Sequence, residues 1–233
     1  MIVKILYRRN ARRITARRCV GGDIRITVPY GFDVEKNRNI IDDLVERVLS
    51  ATAKESDREP LFHDGYTLEL DSLTFHINHV NKNQKTISAT ISQCSGHTTG
   101  HIHVPQTLDF NTLETEKRIS DMMVRIVAKA GTRSILKRAE DVSRQIGVVP
   151  TEWKIGRGRR TLGTCHTDRS ITLSAILAFL PTDLQEFVIC HELAHLSEMN
   201  HSDRFHQLCN SYLDGREAEL KQQLKKFKWP IRR

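Results

Sequence analysis

The chain has 233 residues, of which 39% are hydrophobic and 27% charged, a composition ordinary for a globular protein. This length allows one large domain or two small ones, with enough apolar side chains for a core. No run of about 18 apolar residues occurs, which excludes a membrane-spanning helix, and the charged N-terminus argues against a signal peptide. Five cysteines without a CxxC pair argue against disulfides and a thiolate zinc cluster, so a reducing cytoplasm is the expected location.

The net charge of +8 is concentrated in three segments of the sequence. They hold seven, four and six Lys or Arg residues and span residues 1–18, 154–160 and 221–233. If these segments converge in space, they form a surface that attracts phosphates, which makes nucleic acid a candidate partner. The alternative is three separate solvated surfaces, and the scarcity of aromatic residues among the charges favours it.

The first half of the chain is predicted to be rich in strands. Residues 2–8 and 23–28 alternate in the manner of strands, with Gly21-Gly22-Asp23 between them as a turn signal. Residues 36–50 have helical spacing, and Asp33 is the expected N-cap of that helix. Four further short stretches have β-like patterns, at 66–70, 73–80, 86–92 and 101–104.

The pattern changes near residue 112, after which helices predominate. Residues 114–146 have apolar side chains at helical spacing, interrupted near Gly131. Two short strands are predicted next, joined by a basic, glycine-rich loop, and their ranges are 153–155 and 170–174. Pro181 then opens another helix, and that helix carries the motif with the clearest chemistry.

Residues 191–195 read His-Glu-Leu-Ala-His and follow an apolar helical stretch. On a helix, residues four apart differ by about 40° in direction, so His191 and His195 can bind one zinc ion together. Glu192 lies beside such an ion, where a carboxylate can take a proton from a water activated by the metal. Burying these groups is costly unless they are paired or metal-bound, which argues against two ordinary core histidines.

A catalytic zinc site needs a third protein ligand and one coordination position left for water. His201 is the expected third ligand, six residues after His195, and Asn200 can supply the left-handed backbone of the intervening turn. Ser202 is predicted to cap the helix that follows. The other candidates for the third ligand are His206, Glu217 and Glu219.

The stretch HELAHLSEMNHSDRF resembles the motif of the YgjP-like predicted metal-dependent hydrolases, which are related to the SprT-like zinc metallopeptidases. Two further segments agree with that family: Leu162-Gly163-Thr164-Cys165 followed by a strand, and the Arg-rich segment at residues 7–13. Two positions differ, since Leu162 replaces the family's tryptophan and His206 replaces an aromatic residue after Phe205. These differences bear on substrate preference more than on metal binding.

The resemblance implies a zincin-like catalytic domain in the cytoplasm, with three histidine ligands and glutamate as the base. The expected function is therefore a zinc-dependent metallopeptidase that acts on a protein or peptide. The SprT-like relatives suggest substrates associated with DNA. The predicted fold is α+β, with a strand-rich region at 1–111 and a zincin-like helical domain at 112–233.

A second histidine cluster consists of His97, His101 and His103, with Cys94 nearby. On a strand, His101 and His103 share a face and could hold a metal. The pattern is more typical of a polar face of a sheet, and that interpretation is preferred.

Two other features near the motif suggest a functional role: the neighbours Cys165 and His166, and the strand at 170–174. Cys165 beside His166 could form a thiol–imidazole pair, but adjacent residues on a strand point apart, which argues against it. The strand at 170–174 is predicted to be an edge strand that supplies backbone hydrogen bonds to an extended peptide, and packing in the core is the competing interpretation.

Two other classes of function stay open on the sequence alone. One is a nucleic-acid-binding module with a structural zinc, although a structural site normally has four protein ligands. The other is hydrolysis of a bond other than a peptide bond, which the same zinc–water chemistry permits.

Overall fold

The computed structural model describes residues 2–19, 22–56, 58–80 and 86–232, except for the side chains of residues 51–56. The chain divides into two compact units, Met1–Glu59 and Pro60–Arg233, each with its own hydrophobic core. The catalytic region predicted to start at residue 112 begins inside the second unit, at the residue that caps helix α2, described below. The division of roles between 1–111 and 112–233 stays a prediction.

The first unit is a three-stranded sheet with one helix packed against it. Its elements are β1 (Val3–Arg8), β2 (Thr15–Arg18), β3 (Ile24–Pro29) and α1 (Arg38–Ser56). Strand β3 is central, parallel to β1 and antiparallel to β2. The strands predicted at 2–8 and 23–28 are present. The short β2 was missed, because two consecutive arginines hide its alternation.

Alternate side chains of β3 point to opposite faces of this sheet. Ile24, Ile26 and Val28 are fully buried and pack with Ile41 of α1. The intervening Arg25 is exposed on the other face. The core of this unit therefore lies on one side of the sheet only.

In this unit one local prediction is confirmed for its described residues and another needs correction. Of the predicted turn at 21–23, Gly21 lies outside the described residues, and Gly22, with φ +87°, belongs to the turn between β2 and β3. The predicted helix at 36–50 begins two residues later and is longer. Asp33 accepts hydrogen bonds from two backbone N–H groups of the turn before α1, so it caps that turn and not the helix.

The second unit begins with a four-stranded sheet. Its strands are β4 (Tyr66–Leu70), β5 (Leu73–Val80), β6 (Ser88–Cys94) and β7 (His97–Pro105), in the spatial order β4-β5-β7-β6. Phe75 and Ile77 of β5 are fully buried and belong to one core with Ile119 and Met123 of the next helix. The opposite face of the sheet is polar.

The predicted helical stretch at 114–146 is confirmed, together with its interruption. It consists of α2 (Leu113–Ile126), a π-helical turn (Val127–Gly131) and α3 (Thr132–Ile146). Gly147 then ends α3 in the left-handed conformation, with φ +76°.

A small second sheet precedes the helix that carries the motif. Its strands are β8 (Trp153–Gly156), β9 (Gly163–Cys165) and β10 (Ile171–Ser174), in the order β8-β10-β9. The prediction that the strand at 170–174 is an edge strand is wrong, because β8 and β9 pair with both sides of β10. The edge strand beside the motif is β9, inside the predicted loop.

Three helices complete the second unit: α4 (Thr182–His195), α5 (Asp203–Tyr212) and α6 (Glu217–Lys226). Helix α4 is the central one, since it contacts α3, α5, α6 and β9. Nine of its 14 residues are buried. Such a helix needs apolar side chains all round, which the sequence supplies before the motif begins.

The described residues form a mixed α/β structure with several separate sheets, consistent with the coarse prediction of an α+β protein. Within these residues no helix has both the length and the apolar character needed to cross a bilayer.

Candidate metal centre

The last turns of α4 carry the first three predicted site residues. His191 and His195 are one helical turn apart, and their ring centroids are separated by 4.8 Å. The helix ends at His195, and the carbonyl of the next residue, Leu196, accepts a hydrogen bond of 3.1 Å from Arg169. The two imidazoles are thus held at the end of a buried helix.

A tight turn brings His201 back to these two rings. The N–H groups of Ser197 and Glu198 both bond to the carbonyl of Ala194. The predicted N-cap is confirmed, because the side chain of Ser202 accepts the N–H of Phe205 at 3.3 Å.

The left-handed backbone predicted at Asn200 is wrong. Among the described residues, the non-glycine residues with positive φ are Ser95, Arg169 and Asp214. The turn is closed instead by backbone hydrogen bonds, including one of 2.8 Å from Ser202 N–H to the carbonyl of Asn200.

The three imidazoles converge on a single point. One nitrogen from each of His191, His195 and His201 lies within 4.8 Å of the others, and the Nε2 atoms of His191 and His201 are 3.1 Å apart. Two nitrogens bound to one tetrahedral zinc ion would be separated by about 3.3 Å, from the usual zinc–nitrogen distance. The donor set therefore fits a zinc ion in its chemistry, and the pair of His191 and His201 also fits it in spacing.

Phe205 supports the three histidines from one side. Its ring centroid lies 4.9, 4.5 and 4.8 Å from those of His191, His195 and His201, and its side chain is fully buried. Helix α5 thus contributes an apolar wall that restricts the rotation of all three rings.

A backbone carbonyl orients His195. Its Nδ1 lies 3.0 Å from the carbonyl oxygen of Glu198, so Nδ1 donates this hydrogen bond and Nε2 is the nitrogen left for a metal. Such a second contact is the usual way to orient a metal-binding imidazole. The Glu198 side chain is held in turn by an ion pair of 2.9 Å with Arg204.

The surroundings also favour neutral imidazoles. Burial, together with the proximity of His195 and His201, lowers the pKa of His191 from 6.5 to about 4. Burial also lowers the pKa of His201, and the neighbouring His195 adds to this effect. Both rings are therefore uncharged near neutral pH, as metal binding requires.

Glu192 is buried beside the histidines, with only 6% of its surface exposed. Burial raises its pKa from 4.5 to about 7, although a hydrogen bond from the backbone of Cys165 acts in the opposite direction. Gly163 of β9 is packed directly against this side chain. A Cβ atom at Gly163 would lie 2.5 Å from Glu192 Cγ and 2.6 Å from Oε1. The carboxyl group is therefore confined between α4 and the edge strand β9.

A cavity of about 320 Å³ opens beside Glu192 and His191. Its walls come from the segment leading into β9, from α4 and from α6, and they include Leu162, Phe187 and Lys221. Leu162, which replaces the tryptophan of the resembled motif, thus lines the space next to the buried carboxyl group.

The other predicted candidates for the third ligand are engaged elsewhere. His206 Nδ1 lies 2.7 Å from Glu217 Oε1, and Glu219 pairs with Arg216 at 3.2 Å. Among the described residues, the predicted His201 is the one that forms a group with His191 and His195, and these three alternatives do not.

The pair of Cys165 and His166 does not form. The imidazole of His166 bonds to the hydroxyl of Thr172 at 2.8 Å, and the thiol faces a backbone carbonyl. Burial and the nearby Glu192 raise the pKa of the Cys165 thiol, which disfavours the nucleophilic thiolate.

The second histidine cluster lies on the polar face of the four-stranded sheet. His97 and His103 bond to threonine hydroxyls at 2.9 and 3.3 Å, and His101 stacks on His76 at 5.1 Å. Within the described part of the chain, these rings do not form a group of three close donor atoms. The interpretation as a polar sheet face agrees with these contacts.

Two supporting residues were not assigned a role from the sequence. Phe205 was considered only as the last residue of the resembled motif, and Gly163 only as part of the resembled segment. A glycine inside a strand is a signal of close approach by another group, and that signal was available for Gly163. No local pattern indicates that Phe205 lies beneath the imidazoles.

Comparison with known proteins identifies the class as metallopeptidase. A sequence model described as "YgjP-like, metallopeptidase domain" matches residues 12–227. The chain therefore belongs to the YgjP-like metallopeptidase family. No curated protein matches it.

One solved structure is similar over part of the chain, the metallopeptidase zymogen of abylysin from Pyrococcus abyssi. It is 20% identical, the match covers 40% of this chain and 92% of that one, and the TM-score is 0.35.

Proposed function

We propose that this metallopeptidase is zinc-dependent, with His191, His195 and His201 as ligands, Glu192 as the base and a zincin-like catalytic region. The observation that carries the proposal is the convergence of three imidazoles next to a buried carboxyl group. When bound there, zinc supplies Lewis acidity that polarises a carbonyl oxygen and makes water more acidic. Three ligands suit a catalytic site better than a structural one.

Glu192 performs the proton transfers in this proposal. Its carboxylate takes a proton from the attacking water and gives it to the nitrogen of the departing amine. In the metal-free protein, burial raises the pKa of this carboxyl group to about 7, so the site can hold it with or without a proton near neutral pH. Gly163 and the backbone of Cys165 hold the carboxyl group in the orientation that this role requires.

The expected substrate is an extended peptide, and β9 is the strand with which it would pair. Both sides of β10 are already hydrogen-bonded, whereas β9 is an edge strand and borders Glu192. Pairing with an edge strand fixes a peptide through its backbone and leaves its side chains to be selected elsewhere. Proteins associated with nucleic acid are the substrate class that the basic segments favour.

The Glu192→Gln substitution tests the catalytic assignment. The variant should keep one equivalent of zinc in elemental analysis, since Glu192 is not a ligand. Its rate of cleavage of an unfolded protein such as casein should fall about 100-fold or more, the usual contribution of a general base. The matched control is Glu186→Gln on the same helix, which should retain the wild-type rate.

Three outcomes would contradict the proposal. Cleavage by Glu192→Gln at the wild-type rate would exclude this base. Zinc retained by a His201→Ala variant at full affinity would exclude the third ligand. Hydrolysis of small esters or amides without proteolysis of any protein would show that the substrate is not a peptide.

A further inference from the structure

The face of the first unit's sheet opposite its core carries cations in a row across three strands. Arg25 on β3 lies directly opposite Lys4 on β1 and Arg17 on β2. Like charges directly opposite each other in a sheet destabilise it. Of the three, only Lys4 has an acidic partner within the described residues, at 3.3 Å from Asp23.

A groove of about 410 Å³ lies on this arginine face. Five exposed arginines line it, contributed by all three strands and by the loop between β1 and β2: Arg8, Arg12, Arg13, Arg17 and Arg25. Within the described residues, none of the five contacts a carboxylate. Asp23 is the only acidic residue among the first 32, and Lys4 and the backbone of Ile2 already engage it.

We propose that this arginine groove binds the phosphate backbone of a nucleic acid. Guanidinium groups bind phosphate oxygens in pairs of parallel hydrogen bonds, so the groove suits phosphate more than any neutral ligand. From strand geometry, the Cα atoms of Arg17 and Arg8 are separated by about 10 Å across the sheet and about 13 Å along it. A single phosphodiester has only two unbridged oxygens and cannot accept paired hydrogen bonds from five guanidinium groups, whereas a chain of phosphates can.

The lining of the groove also predicts how the nucleic acid is recognised. Among the described residues, no aromatic side chain lines it, so the groove offers no stacking platform for bases there. The remaining polar groups, such as Asn10 and Thr27, suit further contacts with the backbone. Binding is therefore independent of base sequence and dominated by the release of counterions.

This inference does not depend on the proposed peptidase activity, because the groove lies entirely within the first unit. The Glu192→Gln variant should bind nucleic acid as tightly as the wild-type protein. Failure of the groove would therefore leave the zinc, ligand and base assignments untouched, and would remove only the support for nucleic-acid-associated substrates.

The experiment is a fluorescence titration of the full-length protein against labelled DNA of about 20 nucleotides, single-stranded and duplex, over a range of salt. The triple variant Arg8→Gln/Arg17→Gln/Arg25→Gln should bind at least about tenfold more weakly near 0.1 M salt. The slope of log K against log salt should fall by about 2 for single strands, the value for three lost phosphate contacts.

The matched control removes three exposed cations of the second unit, Lys129→Gln/Arg133→Gln/Lys137→Gln. This control has the same net charge as the test variant and should bind within about twofold of wild type, since salt-dependent affinity follows contacts rather than total charge. Equal losses in the two triple variants would overturn the proposal in favour of unspecific attraction by net charge.

Melting curves check that the variants fold. Removal of the opposed arginines should leave the melting temperature equal or higher. If the triple variant does not fold, the single Arg17→Gln and Arg25→Gln variants take its place in the titration. Unchanged DNA affinity in folded variants would overturn the proposal. So would binding to vesicles that contain phosphatidylserine, lost in the triple variant, without any binding to DNA.

Discussion

At the scale of single residues, Gly163 lies so close to Glu192 that its position admits no side chain. A methyl group at Gly163 has no room, because Glu192 Cγ lies 2.5 Å from the position it would occupy. We expect Gly163→Ala to displace the carboxyl group and lower kcat by about 100-fold, as small misplacements of a catalytic group do. Zinc content, measured in the same preparation, should not change.

Gly158→Ala is the control for this prediction, since nothing lies within 4 Å of a Cβ at that position. It should retain the wild-type kcat. A fully active Gly163→Ala enzyme would show that Glu192 does not need its observed position.

The raised pKa of Glu192 leads to a second prediction, for the metal-free protein. The folded state holds the proton up to about pH 7, whereas the unfolded state releases it near 4.5. Stability from this group is therefore complete below pH 4.5 and is lost as the pH rises through 7. Glutamine does not ionise, so Glu192→Gln should be more stable than wild type near pH 8 by about 2–3 kcal/mol.

Urea unfolding of the wild-type protein and of Glu192→Gln, both freed of metal by a chelator, measures this difference in stability near pH 4.5 and near pH 8. The gap between variant and wild type should be small at the lower pH and open at the higher one. A gap that does not depend on pH would mean that the carboxyl group ionises normally in the folded protein.

At the scale of elements, the turn between α4 and α5 decides where His201 lies. Ser202 caps α5 immediately after His201, so the cap fixes the backbone on which the third imidazole stands. Ser202→Ala should cost about 1 kcal/mol of stability, as the loss of an N-cap does, and should weaken zinc binding. Ser211→Ala, at the other end of α5, removes a hydroxyl that bonds to Leu208 and leaves the turn intact.

Competition with a chromogenic chelator measures the zinc affinity of both serine variants. Lower affinity in Ser202→Ala alone is the expected result. Equal affinities would show that the turn holds His201 without the help of its cap.

At the scale of the whole molecule, the metal should stabilise one unit and not the other. All three candidate ligands lie in the second unit, between α4 and the start of α5. A ligand bound only by the folded state at about 1,000 times its Kd adds about 4 kcal/mol. For a unit of this size, that corresponds to a rise in Tm on the order of 10 °C.

Calorimetry with excess zinc and with chelator measures this shift. Zinc binding competes with protons, and the pKa of His191 is lowered to about 4, so the zinc-dependent shift should fade as the pH falls towards 4. His97→Ala should keep the zinc-dependent shift, and His201→Ala should lose it. A shift that survives in His201→Ala would place the metal elsewhere.

The sequence by itself determined those features that depend on local periodicity and on residue chemistry. The helical spacing of 114–146 predicted both helices and their interruption, and HELAH predicted which imidazoles share a face of α4. The Ser202 cap could also be predicted, because capping depends on residues within one turn. The family was indicated by the same short motif.

Tertiary structure alone decided the features that depend on packing between distant segments. The pairing order of β8, β9 and β10 made β9 the edge strand, which the local pattern of residues 170–174 could not reveal. Phe205 beneath the imidazoles and Gly163 against Glu192 are contacts between elements brought together only by the core. Periodicity specifies which face a side chain takes, whereas its neighbour across the interior is specified by how the elements pack.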